Sequence, residues 1–206
     1  KLIILSFAPQ LENFTHTLKN GGQILLFGLF FNPQIITYVS TCKTLFYFFP
    51  IRIMGLFNLV TYYEYAKLFA SKKYLELKNY HKKHMLFILM LLIIFLVGSA
   101  GLGKTVYNFW LNHQFNLSYA LLLVITLDAA FTSFKATINV TMKSINRYFK
   151  ISIIELCIIS FSMFLSFYLL NLGYSFITHF LIILVQTFIV LIITTLIILK
   201  FYKSLK

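Results

Sequence analysis

The sequence predicts an all-α integral membrane protein, a bundle of six transmembrane helices. Three observations predict it. Of the 206 residues, 60% are hydrophobic and only 11% are charged, against about 25% charged in soluble domains. Six stretches reach or approach the roughly 20 apolar residues needed to cross a bilayer. The 18 Lys and Arg residues fall mostly in short clusters between those stretches, as membrane topology requires. The same composition excludes other classes. Apolar surface is in excess, which excludes intrinsic disorder. A net charge of +13 distributed around apolar runs is a topology signal, not a nucleic-acid footprint. The two cysteines, Cys42 and Cys157, lie inside apolar stretches and read as reduced packing residues rather than a disulfide framework.

The first span, 10–31, is the weakest, because Leu11 to Gln23 is strongly polar. Asn32-Pro33 separates it from the second, 35–63, which is long and interrupted by Pro50. A proline there removes a backbone hydrogen bond and kinks the helix. Segment 71–84, with five lysines and two histidines, reads as a short basic helix at headgroup level. The third span, 85–103, carries no ionisable residue and runs into the breakers Gly101 to Gly103. Segment 102–117 then forms a connection in which Tyr107 and Trp110 suit an interfacial anchor. The fourth span is 118–141. The fifth, 151–171, closes at Asn171-Leu172-Gly173 and precedes the sixth, 176–199.

An even number of spans places both termini on one side. That side carries thirteen basic residues, from Lys1 through the clusters at 67–83 and 143–150 to Lys206, against Lys104 alone on the other. The excess puts both ends and the loops 71–84 and 142–150 in the cytoplasm. The chain begins at Lys1 rather than Met and shows no signal-peptide pattern, so a preceding segment is expected.

Ionisable residues inside spans are costly and mark a pathway or a buried pair. At 100° per residue, Asp128, Thr132, Lys135, Asn139 and Asn146 of the fourth span fall within about 60°. Glu12, His16, Lys19 and Gln23 share a face of the first span. Ser40, Lys43, Tyr47, Asn58, Thr61 and Tyr65 share one in the second, and Ser152, Glu155, Ser162 and Ser166 one in the fifth. The sixth holds His179, Gln186 and Thr194. Such stripes either line a hydrated cavity or pair across helices, Glu155 with Lys135 for example. The basic excess favours a cavity that meets an anionic substrate. Lys43, Asp128 and Lys135 are then expected to share one groove. Arg52 lies nine residues beyond Lys43, opposite it on a straight helix, and can face a neighbouring helix, a cavity beyond the kink, or the interface.

Other signals point to no chemistry. His81, His84 and His113 lack the neighbours of a metal site. Gly-Leu-Gly-Lys-Thr at 101–105 lacks the first glycine of a phosphate-binding loop and follows a membrane run rather than a strand. No Ser-His-Asp or paired-carboxylate set shares a loop, so neither enzyme activity nor a cofactor is expected.

The sequence resembles the bacterial polysaccharide (O-antigen type) flippases of the multidrug/oligosaccharidyl-lipid/polysaccharide exporter superfamily, over nearly the whole chain and in order. Asn20-Gly21-Gly22-Gln23 before Leu25-Leu26-Phe27-Gly28 looks like the family's Asn-Gln-Gly opening before an apolar run. Ser40-Thr41-Cys42-Lys43-Thr44-Leu45 is similar to its Ser-Thr-x-Arg-Thr-Leu stretch, with Lys43 where Arg is common. Glu64-Tyr65-Ala66-Lys67 resembles its Glu-x-Ser-Arg, with Tyr63 where a proline usually stands. Trp110, Asn146-Arg147 and Leu172-Gly173 match its later punctuation.

The resemblance implies the C-terminal six-helix half of a two-lobed exporter in the bacterial inner membrane, with an N-terminal lobe of the same protein as partner. Its cargo would be an undecaprenyl-diphosphate-linked oligosaccharide, moved by alternating access from the cytoplasmic to the outer leaflet while the lipid tail stays in the bilayer. Lys19, Lys43, Asp128, Lys135 and Glu155 are the substrate-path candidates. Lys43 and Lys135 would attract diphosphate or acidic sugar, and Asp128 and Glu155 would balance that field or bind a coupling cation. Competing readings are a cation-coupled drug or lipid-precursor exporter of the same superfamily, or a membrane-embedded polysaccharide polymerase or transferase.

Overall fold

The computed structural model describes residues 2–112 and 116–205, with side chains from Phe7 onward. Lys1 and Lys206, assigned to the cytoplasmic side above, and His113, considered above as a metal ligand, lie outside the described residues. The elements are α1 (Leu2–Phe30), α2 (Pro33–Phe46), α3 (Phe48–Ala70), α4 (Tyr74–Trp110), α5 (Tyr119–Ser144), α6 (Phe149–Asn171) and α7 (Phe176–Ser204). Because α2 and α3 form one broken rod, these make six antiparallel rods. Among the described residues five rods, all but α1, are long and apolar enough to cross a membrane. The chain is an all-α, multi-pass membrane bundle, as expected.

Helix ends follow local chemistry. Asn32 caps α2, its side chain accepting from the Ile35 amide at 3.0 Å, with Pro33 in the first turn. Asparagine supplies the acceptor and proline's missing N–H costs nothing at that position. At the end of α6, Gly173 takes φ +86° while the Tyr174 amide returns to the Leu169 carbonyl, a conformation that favours glycine. Asn146 plays the same part after α5, at φ 56°, with the Arg147 amide on the Met142 carbonyl. Asn146 therefore lies beyond the helix and does not extend the polar stripe of the fourth span. The break between α2 and α3 falls at Tyr47. Pro50 has no N–H to give the Phe46 carbonyl one turn back.

Two boundaries differ from the sequence reading. Gly101 to Gly103 do not end the third span; α4 runs through them to Trp110. Its 37 residues are about 55 Å of helix, well beyond a hydrocarbon core of about 30 Å. The basic segment 71–84 is consequently no separate headgroup helix, since from Tyr74 it forms the projecting first turns of α4. Continuation of α4 as far as Trp110 also changes the reading of Tyr107. Its ring is fully buried, with its hydroxyl 3.2 Å from Thr41 Oγ1, so it packs rather than anchors. Trp110 is half exposed.

Helix α5 is the central rod, packed against α3, α4 and α7. Ala129, Ser133, Thr137 and Thr141 recur every fourth residue along it and are all buried. Small side chains in one row let neighbouring backbones approach closely where no hydrophobic force acts between helices. At the end away from the termini, Phe27, Phe46, Tyr107, Leu121, Leu122 and Phe180 form the main apolar cluster. Cys42 is buried there as expected, but Cys157 is exposed on the outside of the bundle and is not a packing residue.

Gly103 explains why the third span tolerates a glycine. A Cβ at Gly103 would stand 3.2 Å from both Leu122 methyls and 3.3 Å from the Phe46 ring, whereas Gly101 has open space around it. Gly103→Val is expected to cost about 1–3 kcal/mol by overpacking, and Gly101→Val to cost much less. Unfolding midpoints of the two variants in detergent check this, and equal losses would contradict the packing argument.

Candidate functional site

Helices α1 and α2 leave the Asn32-Pro33 turn and diverge, because they are drawn to different partners. α1 lies along α6, while α3 lies along α5 and α4. The wedge between α1 and the broken α2–α3 rod encloses a cavity of about 710 Å³. His16, Asn20, Gln23 and Phe27 form the α1 wall. Ser40, Lys43 and Tyr47 of α2 and its break, then Ile51, Arg52 and Leu56 of α3, form the other. A smaller hollow of about 240 Å³ opens in the same wedge near the termini, between Pro9, Glu12, Tyr62 and Lys143.

Two sets of charged groups stand out along the helices among the described residues. In the first, each ionisable residue of α5 meets an opposite charge from a neighbouring helix. Asp128 pairs with Lys19 of α1 at 3.3 Å, with both side chains about nine-tenths buried. Thr187 of α7 donates to Asp128 at 2.6 Å, and Lys19 donates to Thr187 at 3.2 Å and to Thr132 at 3.4 Å. Two turns on, Lys135 pairs with Glu155 of α6. Tyr148 donates to the other Glu155 oxygen at 3.3 Å, and Asn139 donates to Tyr148 at 3.3 Å. Two further turns on, Lys143 pairs with Glu12 of α1, partly exposed. Pairs of this kind meet the desolvation cost that an isolated charge would carry in the membrane.

The second set is Lys43 and Arg52. Among the described residues neither has a carboxylate partner, and both line the large cavity. Lys43 Nζ donates to the neutral amide oxygens of Gln23 and Asn20 and stands 5.1 Å above the Tyr47 ring. The Arg52 guanidinium stands 5.9 Å from the Phe48 ring and is exposed. Two uncompensated cations thus face one cavity whose remaining lining is mostly apolar.

This placement revises the sequence reading. Of the five substrate-path candidates, Lys43 alone is on the cavity wall. Lys19, Asp128, Lys135 and Glu155 are closed into pairs behind it, so Lys43, Asp128 and Lys135 do not share one groove. The pairing of Glu155 with Lys135 is the arrangement found. The stripe of the second span also divides at the Tyr47 break. Ser40, Lys43 and Tyr47 face the cavity, whereas Thr61 and Tyr65 are buried and the Tyr65 hydroxyl lies 3.0 Å from His84 Nδ1 of α4. The same break brings Arg52 round to the wall that holds Lys43, against the opposite placement of a straight helix. Sequence reasoning missed His16 and Asn20 as partners on the wall, their side chains bonded at 3.1 Å. Their i, i+4 spacing was the available signal. The α6 stripe of Ser152, Glu155, Ser162 and Ser166 is buried throughout, as are His179, Gln186 and Thr194 of α7.

No protein-family model matches the chain, and no curated protein or solved structure is significantly similar to it.

Proposed function

We propose that this bundle is one lobe of an exporter that carries an amphiphilic anion across the membrane, the cargo being an undecaprenyl-diphosphate-linked oligosaccharide. One observation carries the reading: among the described residues Lys43 and Arg52, the two Lys/Arg side chains that line the large cavity, have no carboxylate partner, and the rest of that lining is mostly apolar. A diphosphate needs positive charge that is not already spent on a carboxylate. A polyprenyl tail needs an apolar opening toward lipid, which the divergence of α1 from α2–α3 would supply on this reading. A second lobe facing this wedge would complete the path, and rocking of the two lobes would expose it to alternate sides. The cation-coupled drug exporter is the weaker reading, because Asp128 and Glu155, the carboxylates it would use, are held by Lys19 and Lys135. The polymerase or transferase reading is weaker too, because the connections among the described residues are short.

The test is translocation by the complete protein in sealed phospholipid vesicles, using a fluorescent oligosaccharide on a polyprenyl diphosphate and a membrane-impermeant quencher. The quenched fraction should rise from about half in protein-free vesicles toward completion. A fraction equal to that of protein-free vesicles would overturn the reading.

We infer that the basic end of the bundle is cytoplasmic and that the membrane is the bacterial inner membrane, on the thirteen-to-one excess. Single cysteines at positions 79 and 146, in a background without Cys42 and Cys157, should resist impermeant maleimide added to intact cells, while a cysteine at position 172 should react. The reverse pattern would invert the transport direction.

A further inference from the structure

A second pocket, of about 440 Å³, lies at the end of the bundle that carries the termini, between the close of α5, the first turn of α6 and the last turns of α7. It has no part in the cavity between α1 and α3. Its rim holds three cations, Arg147, Lys150 and Lys200, all exposed. No carboxylate is among its lining residues. Below the rim, Ile151, Ile197 and Phe201 make an apolar floor, and their near neighbours in the chain, Ile153 of α6 and Leu196 and Leu199 of α7, are exposed apolar side chains. The Arg147 guanidinium is fixed over the Phe201 ring at 5.4 Å, so one cation is already oriented at low entropic cost. The fold brings these groups together from three places in the chain. Asn146 turns the backbone at the end of α5, which sets Arg147 beside the start of α6, and α7 returns antiparallel to deliver Lys200.

The chemistry of the pocket is amphiphilic in a fixed order, with cations outermost at the headgroup level and apolar surface beneath. A soluble anion would use only the rim. A zwitterionic lipid would bring its own cation against three others. We propose that this pocket binds the phosphate of an anionic phospholipid, with Arg147, Lys150 and Lys200 on the headgroup and an acyl chain on the Ile151–Ile197–Phe201 surface. Basic pockets between transmembrane helices recognise such headgroups through charge, at about five-fold in affinity for each Lys or Arg near the surface. The bound lipid ties α5, α6 and α7 together at the end where α5 and α6 are joined only by a short turn.

The experiment is native mass spectrometry of the complete protein released from detergent micelles supplied with phosphatidylglycerol, with phosphatidylcholine, or with inorganic phosphate. Phosphatidylglycerol adducts should persist at activation energies that strip phosphatidylcholine, and millimolar inorganic phosphate should not displace them. The triple variant R147Q/K150Q/K200Q should lose at least ten-fold in adduct affinity. All three side chains are exposed, and monodispersity on size exclusion verifies that the variant folds. The control K72Q/K73Q/K78Q removes the same charge from the same end of the protein and should keep its adducts. Equal retention of phosphatidylcholine, displacement by inorganic phosphate, or equal adduct loss in the control would each overturn the assignment.

Discussion

Asp128→Asn is expected to be among the most destabilising single substitutions in this protein, at about 3–5 kcal/mol. The change is nearly isosteric, so it leaves packing intact and removes only the charge. Lys19 would then be buried with no counter-ion, held by the neutral hydroxyls of Thr187 and Thr132. The network it belongs to joins α1, α5 and α7, and reaches the α2–α3 break through the Tyr47 hydroxyl, 3.4 Å from Thr132. Loss should therefore appear as detachment of α1, the one rod too polar to qualify as a membrane span on its own sequence. The check is the unfolding midpoint in mixed micelles titrated with a denaturing detergent. Lys19→Met combined with Asp128→Asn should recover much of the loss, because removing both charges removes the desolvation cost with them. A double variant no better than D128N would mean that the pair is not the source of the stability.

Lys43→Gln with Arg52→Gln is expected to abolish most transport while leaving the bundle folded. Neither cation is paired with a carboxylate, so neither removal strands a buried charge. On the proposed exporter reading each charge would attract a diphosphate by about a few kcal/mol at most, and the loss of both should reduce transport at least ten-fold. Lys43→Arg should be tolerated, since it keeps the charge and adds a forked donor for phosphate. Lys135→Gln, by contrast, should lower abundance by stranding Glu155 rather than acting on cargo. Surface polysaccharide display, normalised to membrane abundance, separates these cases. Normal display by the K43Q/R52Q protein would remove the cavity cations from the mechanism.

The sequence by itself determined the membrane class, the antiparallel order of the rods and most of their boundaries. Those properties are local. Span length follows from the run of apolar residues, and Asn32-Pro33 and Gly173 stop helices by their own backbone preferences. The faces of α1, α5 and α6 that bear polar groups were legible for the same reason, because 3.6-residue periodicity is a property of one helix. Gly101 to Gly103 misled because a glycine stops a helix by taking a positive φ, as Gly173 does and Gly101 and Gly103 do not, and at Gly103 Leu122 and Phe46 pack closely against the continuing helix.

What the tertiary structure decided is which polar face meets which. A stripe containing Lys135 looks the same whether its neighbour is water or Glu155, and the partner comes from a different helix, 20 residues away in the chain. Lys19 and Asp128 are 109 residues apart. Only the three-dimensional packing of α5 among its neighbours could reveal that Lys19, Asp128, Lys135 and Glu155 neutralise one another. Arg52 needed more than periodicity as well, since a single break at Tyr47 changes the phase of every residue after it. The uncompensated charge along the large cavity, Lys43 with the exposed Arg52, is left among the described residues after the pairs are formed. It is a property of the assembled bundle, because Coulomb pairing depends on distance in space and not on separation along the chain.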